Sequence, residues 1–276
     1  MKATAFLLAL PALALSAEPP PKSPDPRIRI ELVAEAPGIV TPTGLGVDSK
    51  GRVLVIESHT HFRPKDYEGP ERDRVLMFTP QKNGQAKRSI FYEGLNMGMD
   101  TCVGADDWVY LAERSRILRA KDSTGDGKAD LVEDVISMDT TGTYPHNGLS
   151  GLCFDLKGNL VFGLGENLGH AYTMIGRDGR KIEGAKGIGG GVFRCSAEGN
   201  QLEQIARGFW NPFGVCVDSW GRIFAVDNDP GHSPPCRLLH VVQDGDYGYR
   251  YKHGRTGIHP FIAWNGELLG TLPMVY

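Results

Sequence analysis

A pattern that recurs four times constrains the fold of this chain more than any other feature. Each copy has a small-residue opening, an alternating apolar strand, a turn at Gly or Asp, a second alternating strand and a closing acidic residue. The turn residues Gly51, Asp107, Gly158 and Gly221 lie 56, 51 and 63 residues apart. The period-two alternation and the turns at fixed offsets indicate repeated β-hairpins. The copies span residues 44–57, 100–113, 151–166 and 214–227.

Each hairpin is followed by a third apolar run, and the first three copies continue into a fourth, so each unit is predicted to be a four-stranded antiparallel sheet. The chain contains 36 Gly and 18 Pro and few long helical patterns, which favours an all-β architecture. Small sheets repeated at this spacing must bury their faces against one another, as the blades of a β-propeller do. We therefore predict an all-β fold, a β-propeller over residues 28–276.

The two ends of the chain have their own predictions. Residues 1–17 combine a lysine, a short apolar run and small residues at a cleavage position, which is typical of a signal peptide. Residues 18–27 are a proline-rich linker. The chain is therefore predicted to be exported, to the periplasm or outside the cell, without a transmembrane span. Residues 259–276 begin a fifth unit and stop, so we expect a fragment of a larger ring, and Arg27–Val33 reads as a closing strand.

The net charge of −3, with both signs mixed along the chain, gives no electrostatic footprint for nucleic acid.

Within each hairpin, the residues before the first strand and after the second strand share one rim. That rim gathers the recurring carboxylates. Neighbouring carboxylates repel one another unless a cation compensates, and calcium suits such oxygen ligands. The alternative is that these side chains only cap turns or stay solvated. The carboxylates are those of Glu57, Glu113, Glu166 and Asp227.

His146 is the candidate general base, since it precedes the first strand of the third unit and imidazole titrates near neutral pH. Glu166, on the returning strand of that unit, is predicted to orient it. His59, His61 and His170 lie near the same rim and are predicted to be solvated rather than catalytic.

A second calcium hypothesis concerns residues 122–133, which carry oxygen ligands at the offsets of an EF-hand loop and Gly127 at its sharp turn. The flanks read as strands, so a Gly/Asp-rich hairpin turn is the alternative. The predicted ligands are Asp122, Thr124, Asp126, the Lys128 carbonyl, Asp130 and Glu133.

Residues 146–166 resemble the catalytic-histidine blade of the soluble quinoprotein glucose/sorbosone dehydrogenases, and residues 208–214, 226–230 and 245–249 resemble later landmarks of that family. The membrane-bound dehydrogenase propellers of PVC-type haem-binding proteins are the closest group by this resemblance. It implies a six-bladed propeller that holds pyrroloquinoline quinone (PQQ) and calcium, oxidises a sugar or polyol, and passes electrons to a cytochrome.

By the same resemblance, His146 takes the proton of the substrate hydroxyl, Glu166 orients His146, Asn211 contacts the cofactor, and Asp229 and Pro230 lie in the calcium-binding segment. The sequence departs from the family where Trp210 replaces an arginine that contacts the quinone. An anionic cofactor thereby loses a cationic partner, and Arg207 is the nearest candidate to replace it.

Two other functions stay open on the sequence alone. One is a non-catalytic propeller that binds carbohydrate or protein. The other is a metal-dependent, lactonase-like hydrolase, which also needs a rim of acidic and amide ligands.

Overall fold

The computed structural model describes residues 21–82, 84, 86–228 and 236–250, and within these ranges the chain forms four antiparallel sheets arranged as successive propeller blades. Blade 1 is a four-stranded meander with the order β1-β2-β3-β4. Its strands are β1 (Pro42–Val47), β2 (Val53–Glu57), β3 (Asp73–Pro80) and β4 (Ala86–Leu95).

Blade 2 follows the same order with β5 (Gly98–Val103), β6 (Val109–Glu113), β7 (Arg116–Lys121) and β8 (Leu131–Thr140). Its sheet is extended to six strands by a hairpin that leaves blade 3 between that blade's second and third strands. This hairpin was not predicted from the sequence. It consists of β11 (Tyr172–Gly176) and β12 (Lys181–Gly184).

Blade 3 contains β9 (Leu149–Phe154), β10 (Leu160–Leu164), β13 (Gly190–Cys195) and β14 (Glu203–Phe209). A short strand, β18 (Gly245–Asp246), joins its outer edge in parallel. The described strands of blade 4 are β15 (Pro212–Val217), β16 (Ile223–Asp227) and β17 (Arg237–Val241). The prediction of an all-β propeller of hairpin-based blades is confirmed.

The turns between first and second strands explain why the repeat folds as it does. In three blades an aspartate accepts hydrogen bonds from the backbone amides two and four residues ahead, which closes the hairpin. The turn residue of each copy, for example Gly51 at φ +72°, is in the left-handed region that glycine adopts without a Cβ penalty. The three aspartates are Asp48, Asp155 and Asp218.

Apolar side chains between neighbouring blades form the core. Leu54 and Ile56 of blade 1 pack with Leu111 and Leu118 of blade 2, and all four are buried. Similar layers lie between blades 2 and 3 and between blades 3 and 4. Burying one such side chain contributes about 1.5–3 kcal/mol, so each blade is stabilised chiefly by its neighbours.

The prediction of a closing strand at Arg27–Val33 is wrong for the described structure. Residues 28–33 form no strand there, and Ile28 and Leu32 are exposed. An alternating segment becomes a strand only when another strand pairs with its backbone groups, and none of the described blades does so. Ala34 and Ile39, further along, pack on the face of blade 1. The predicted signal peptide and the start of a fifth unit lie outside the described residues.

Candidate active site

Three of the four recurring carboxylates have the same structural task. In blades 1, 2 and 4, the carboxylate that ends the second strand accepts a hydrogen bond from a backbone amide just before the first strand of its own blade. All three side chains are buried. Each carboxylate therefore holds the loop before the first strand of its blade against the end of the second strand. The pairs are Glu57 with the Val40 amide (3.1 Å), Glu113 with the Asn96 amide (2.7 Å) and Asp227 with the Asn211 amide (2.7 Å).

The second oxygen of each of these carboxylates also has a partner. Arg237 donates to Asp227 at 2.6 Å, Arg116 donates to Glu113 at 2.9 Å, and the His59 ring lies 3.0 Å from Glu57. Burial raises the pKa of Asp227, and Arg237 opposes that rise. These contacts match the alternative reading, in which the acidic residues cap turns, and they give no support to a cation shared among them.

Blade 3 departs from this arrangement. In strand register Glu113 faces Arg116 and Asp227 faces Arg237, but the corresponding pair in blade 3 is Leu164 with Gly191. Strand β10 ends at Leu164, so the expectation that Glu166 ends a second strand is wrong. The blade 3 segment is two residues longer, and its carboxylate lies beyond the strand, where it accepts a hydrogen bond from the side-chain amide of Asn147.

His146 lies on a single 3-10 turn, Pro145–Asn147, that leads into β9. Its Nε2 atom is 2.5 Å from Nε2 of His61, which comes from the long loop between β2 and β3 of blade 1. Its Nδ1 atom is 3.3 Å from the hydroxyl oxygen of Tyr144. Burial lowers the pKa of His146, so the ring is neutral at pH 7 and can accept a proton. Glu166 contacts the neighbouring Asn147, and its orienting role stays a prediction.

Arg114 supports the loop that carries His146. This buried side chain donates from Nε to the Tyr144 carbonyl at 3.1 Å and from Nη2 to the Asn167 side chain at 2.6 Å. Burial lowers the pKa of its guanidinium. Arg114 thus joins the segment before β9, at Tyr144, to the segment after β10, at Asn167. The region between these two segments is called the mouth of blade 3, and the equivalent regions are the mouths of the other blades. Arg114 was not among the predicted site residues, since an arginine after a strand end carries no distinctive signal.

His61 was predicted to be solvated, yet it contacts the candidate base. The two histidines are 85 residues apart in the chain, so no local spacing could show their contact. Phe62 packs edge-on against both rings, at 4.8 Å from His61 and 5.7 Å from His146. His170, by comparison, contacts the Thr141 hydroxyl at 3.0 Å.

The predicted cofactor residues lie at the entry of blade 4 and on the outer strand of blade 3. Asn211 is buried, and its amide donates to the carbonyl and accepts from the indole of Trp210. Trp210 packs at 5.5 Å on Tyr249. Arg207 is paired with Asp246 at 2.9 Å. Of the two aromatic rings, only that of Trp210 is partly exposed and could contact a flat ring system. Because Arg207 already pairs with Asp246, its contacts do not fit it to replace the family arginine that contacts a quinone's carboxylates.

The loop predicted to resemble an EF-hand joins β7 and β8 as a hairpin turn. Asp122 accepts hydrogen bonds from the amides of Gly125 (2.6 Å) and Gly127 (2.8 Å), and Glu133 pairs with Arg119 (2.8 Å) and Arg177 (2.7 Å). Both oxygens of Asp122 and the Oε2 atom of Glu133 therefore already have protein donors. The remaining predicted ligands also make local contacts: Thr124 with Asp122, Asp126 with the Lys128 amide, and Asp130 with Ser123.

Across residues 21–82, 84, 86–228 and 236–250, no three His, Cys, Asp or Glu side chains are grouped so that they could hold a metal ion. Asp229 and Pro230 lie outside these ranges. Calcium binding therefore stays a prediction for this protein. The same ranges contain no helix long and apolar enough to cross a membrane.

The fold is a β-propeller like that of solved sugar dehydrogenase structures. The chain superimposes on the PQQ-bound aldose sugar dehydrogenase of Streptomyces coelicolor with a TM-score of 0.55 at 17% identity, covering 86% of this chain and 67% of that one. For the soluble aldose sugar dehydrogenase of Escherichia coli in its apo form, the TM-score is 0.51 at 15% identity, with 87% and 72% covered. At these identities the likeness shows the fold alone.

A third solved structure, the Trichoderma reesei member of carbohydrate-active enzyme family AA12, gives a TM-score of 0.57 at 16% identity, with 80% of this chain and 57% of that one covered. The family model described as a domain of unknown function, DUF7133, matches residues 24–259, so the chain belongs to that family. No curated protein matches the sequence. The predicted resemblance to soluble quinoprotein sugar dehydrogenases is confirmed, and the closer link to PVC-type proteins stays a prediction.

Proposed function

We propose that this protein is a sugar or polyol dehydrogenase in which His146 takes up the proton of the hydroxyl group that is oxidised. The carrying observation is the position of a neutral, half-buried imidazole on the mouth of blade 3, 3.3 Å from the Tyr144 hydroxyl and beside the Glu166–Asn147 contact. A base in this state accepts a proton near neutral pH without first losing one.

The relatives suggest the rest of the reaction. A PQQ-type quinone, as in the PQQ-bound Streptomyces coelicolor enzyme, would supply the hydride acceptor, with calcium as the sequence resemblance implies. The half-buried ring of Trp210, which packs against the buried Tyr249, would offer its flat ring a stacking surface. Because Arg207 is paired with Asp246, we derive no step through the quinone. Export and a cytochrome as the next electron acceptor complete the proposal. Export is supported by residues 1–17, and the cytochrome by the sequence resemblance. The mature N-terminus of the native protein, determined by mass spectrometry, tests the export.

The test is reduction of a dye by the full-length protein reconstituted with PQQ and calcium, with aldoses and polyols as substrates. His146→Ala is expected to lower turnover by roughly 100- to 10,000-fold, the usual contribution of a positioned base. The matched control is His170→Ala, which lies outside the histidine contact and should keep most of the activity. Unchanged turnover in His146→Ala would place the base elsewhere, and no reduction by the wild type together with no cofactor spectrum would remove the dehydrogenase proposal.

A further inference from the structure

Two imidazoles from different blades meet at the mouth of blade 3. The Nε2 atoms of His61 and His146 are 2.5 Å apart, the ring centroids are 4.4 Å apart and the planes differ by 15°. Since the two nitrogens are closer than the ring centres, the rings approach each other through these atoms. This is the approach of an N–H···N hydrogen bond.

Such a contact requires one donor and one acceptor, because two lone pairs or two N–H groups would repel. Burial lowers the pKa of both rings, and a charge on His146 lowers that of His61 further, so both are neutral at pH 7. A neutral imidazole carries a single N–H. One ring therefore has its proton on Nε2 and the other has it on Nδ1.

The surroundings are consistent with a neutral pair. Phe62 packs edge-on against both rings, and Tyr144 lies at 5.2 Å from His146 with its hydroxyl near Nδ1. Burial is the main cause of the lowered pKa of His61, and the carboxylate of Asp73, on the blade 1 side, opposes it. Asp73 itself accepts from the Thr60 hydroxyl and the Gly98 amide, at 2.9 and 2.7 Å.

We propose that His61 and His146 form one proton-accepting unit, in which His61 is a positioning residue that fixes the tautomer of His146 and shares the proton it receives. When the unit takes up a proton, the hydroxyl O–H bond of the substrate breaks, an imidazole N–H bond forms, and the pair gains one positive charge. The pairing itself follows from the geometry, whereas the source of the proton rests on the proposed function.

The direct test is ¹⁵N-histidine NMR of the chelator-treated protein at pH 7.5, with the signals assigned by His61→Gln and His146→Gln. We expect complementary tautomers, one ring protonated on Nδ1 and the other on Nε2, with each substitution changing the tautomer signals of the remaining partner. His170→Gln is the control and should leave both signals unchanged. The same tautomer in both rings, or histidine signals that differ between the untreated and the chelator-treated protein, would overturn the pairing.

The second readout is the pH profile of turnover. In His61→Phe, which keeps the ring of His146 covered, the protonated His146 loses the imidazole that shares its proton, so its pKa falls and the acid limb of kcat/KM moves to lower pH. A merely structural role for His61 would lower activity without moving that limb, and this result would also overturn the proposal. Complementary tautomers in a protein that oxidises no sugar would leave the pair intact and remove only the dehydrogenase function.

Discussion

The mouth of blade 3 differs from the mouths of blades 1, 2 and 4 in the contacts that its strand-end carboxylate makes. In the latter group, the strand-end carboxylate is fixed between a backbone amide and a cationic or imidazole side chain. In blade 3 the corresponding register position is Leu164 opposite Gly191, and the carboxylate of Glu166 lies two residues further on, next to the turn that carries His146. The carboxylate contact that stabilises blades 1, 2 and 4 is thus altered in blade 3, where the candidate base lies.

Close backbone packing accompanies this change. A Cβ on Gly190 would lie 2.1 Å from the Leu164 carbonyl, and one on Gly165 would lie 2.2 Å from the Asn211 side chain. At Gly214, in the first strand of blade 4, the nearest atom would be 3.5 Å away. The mouth of blade 3 therefore depends on glycine to bring three segments together, whereas the blade 4 strand does not.

The largest contrast is expected between Asp227 and Glu166. Asp227→Asn leaves Arg237 buried beside a neutral group, and breaking such a pair costs about 3–5 kcal/mol of unfolding free energy. Glu166→Gln keeps the size of the side chain and should cost about 1 kcal/mol, because its contact with Asn147 can be kept by an amide oxygen. Urea denaturation of both variants measures the difference. Equal losses would mean that blade 3 is fastened like the others.

Arg114 and Arg116 give a second contrast. Arg114→Met removes charged hydrogen bonds to Tyr144 and Asn167 from a buried site, and we expect a loss of about 3 kcal/mol. Arg116 is more exposed, and Arg116→Met should cost about 1 kcal/mol or less. Thermal unfolding gives the ranking, and a reversed order would show that Arg114 does not support the His146 loop.

The glycine contrast is expected to be smaller. Gly190→Ala forces backbone atoms apart and should destabilise the protein by about 2 kcal/mol, within the usual range for overpacking. Gly214→Ala meets only ordinary contact distances and should be close to neutral. Chemical denaturation measures both changes, and a neutral result at Gly190 would contradict the close packing described for blade 3.

The smallest effect is a pH dependence confined to the blade 3 mouth. Burial lowers the pKa values of His61 and His146 in the folded state, so the unfolded chain binds more protons and the protein loses stability as the pH falls below the ordinary value of about 6.5. Both rings are only partly buried, so the loss should stay below about 1.4 kcal/mol, the equivalent of one pKa unit. The His61→Gln, His146→Gln double variant should lack this loss when unfolding is followed from pH 8 to 5, and an identical pH dependence would contradict the assignment.

Much of the fold could be predicted from sequence, because hairpin turns and strand alternation are local features that recur at each copy. The site was less predictable, since its contacts join distant segments. The displacement of Glu166 is visible in the two extra residues after Gly158, but only strand register shows that Leu164 takes the usual place of the carboxylate. The contact of His61 with His146 depends on how blade 1 and blade 3 face the opening, and no pattern within either segment contains that information.

One prediction failed and one hairpin was missed for a related reason. Residues 28–33 alternate like a strand but have no described pairing partner, and the hairpin at 172–184 joins the sheet of blade 2 although it belongs to blade 3 in sequence. Alternation indicates that a segment can form a strand, whereas its partner is decided by the position of free sheet edges.

The central claim is that the substrate binds beside the pair formed by His61 and His146, which takes up its proton. It is tested most directly by ¹⁵N-histidine NMR of the wild-type protein titrated with D-glucose, D-xylose and sorbitol. The account predicts that the ring signals of His61 and His146 shift with at least one of these compounds while those of His170 and His240 stay unchanged. Binding that leaves the His61 and His146 signals in place would contradict it.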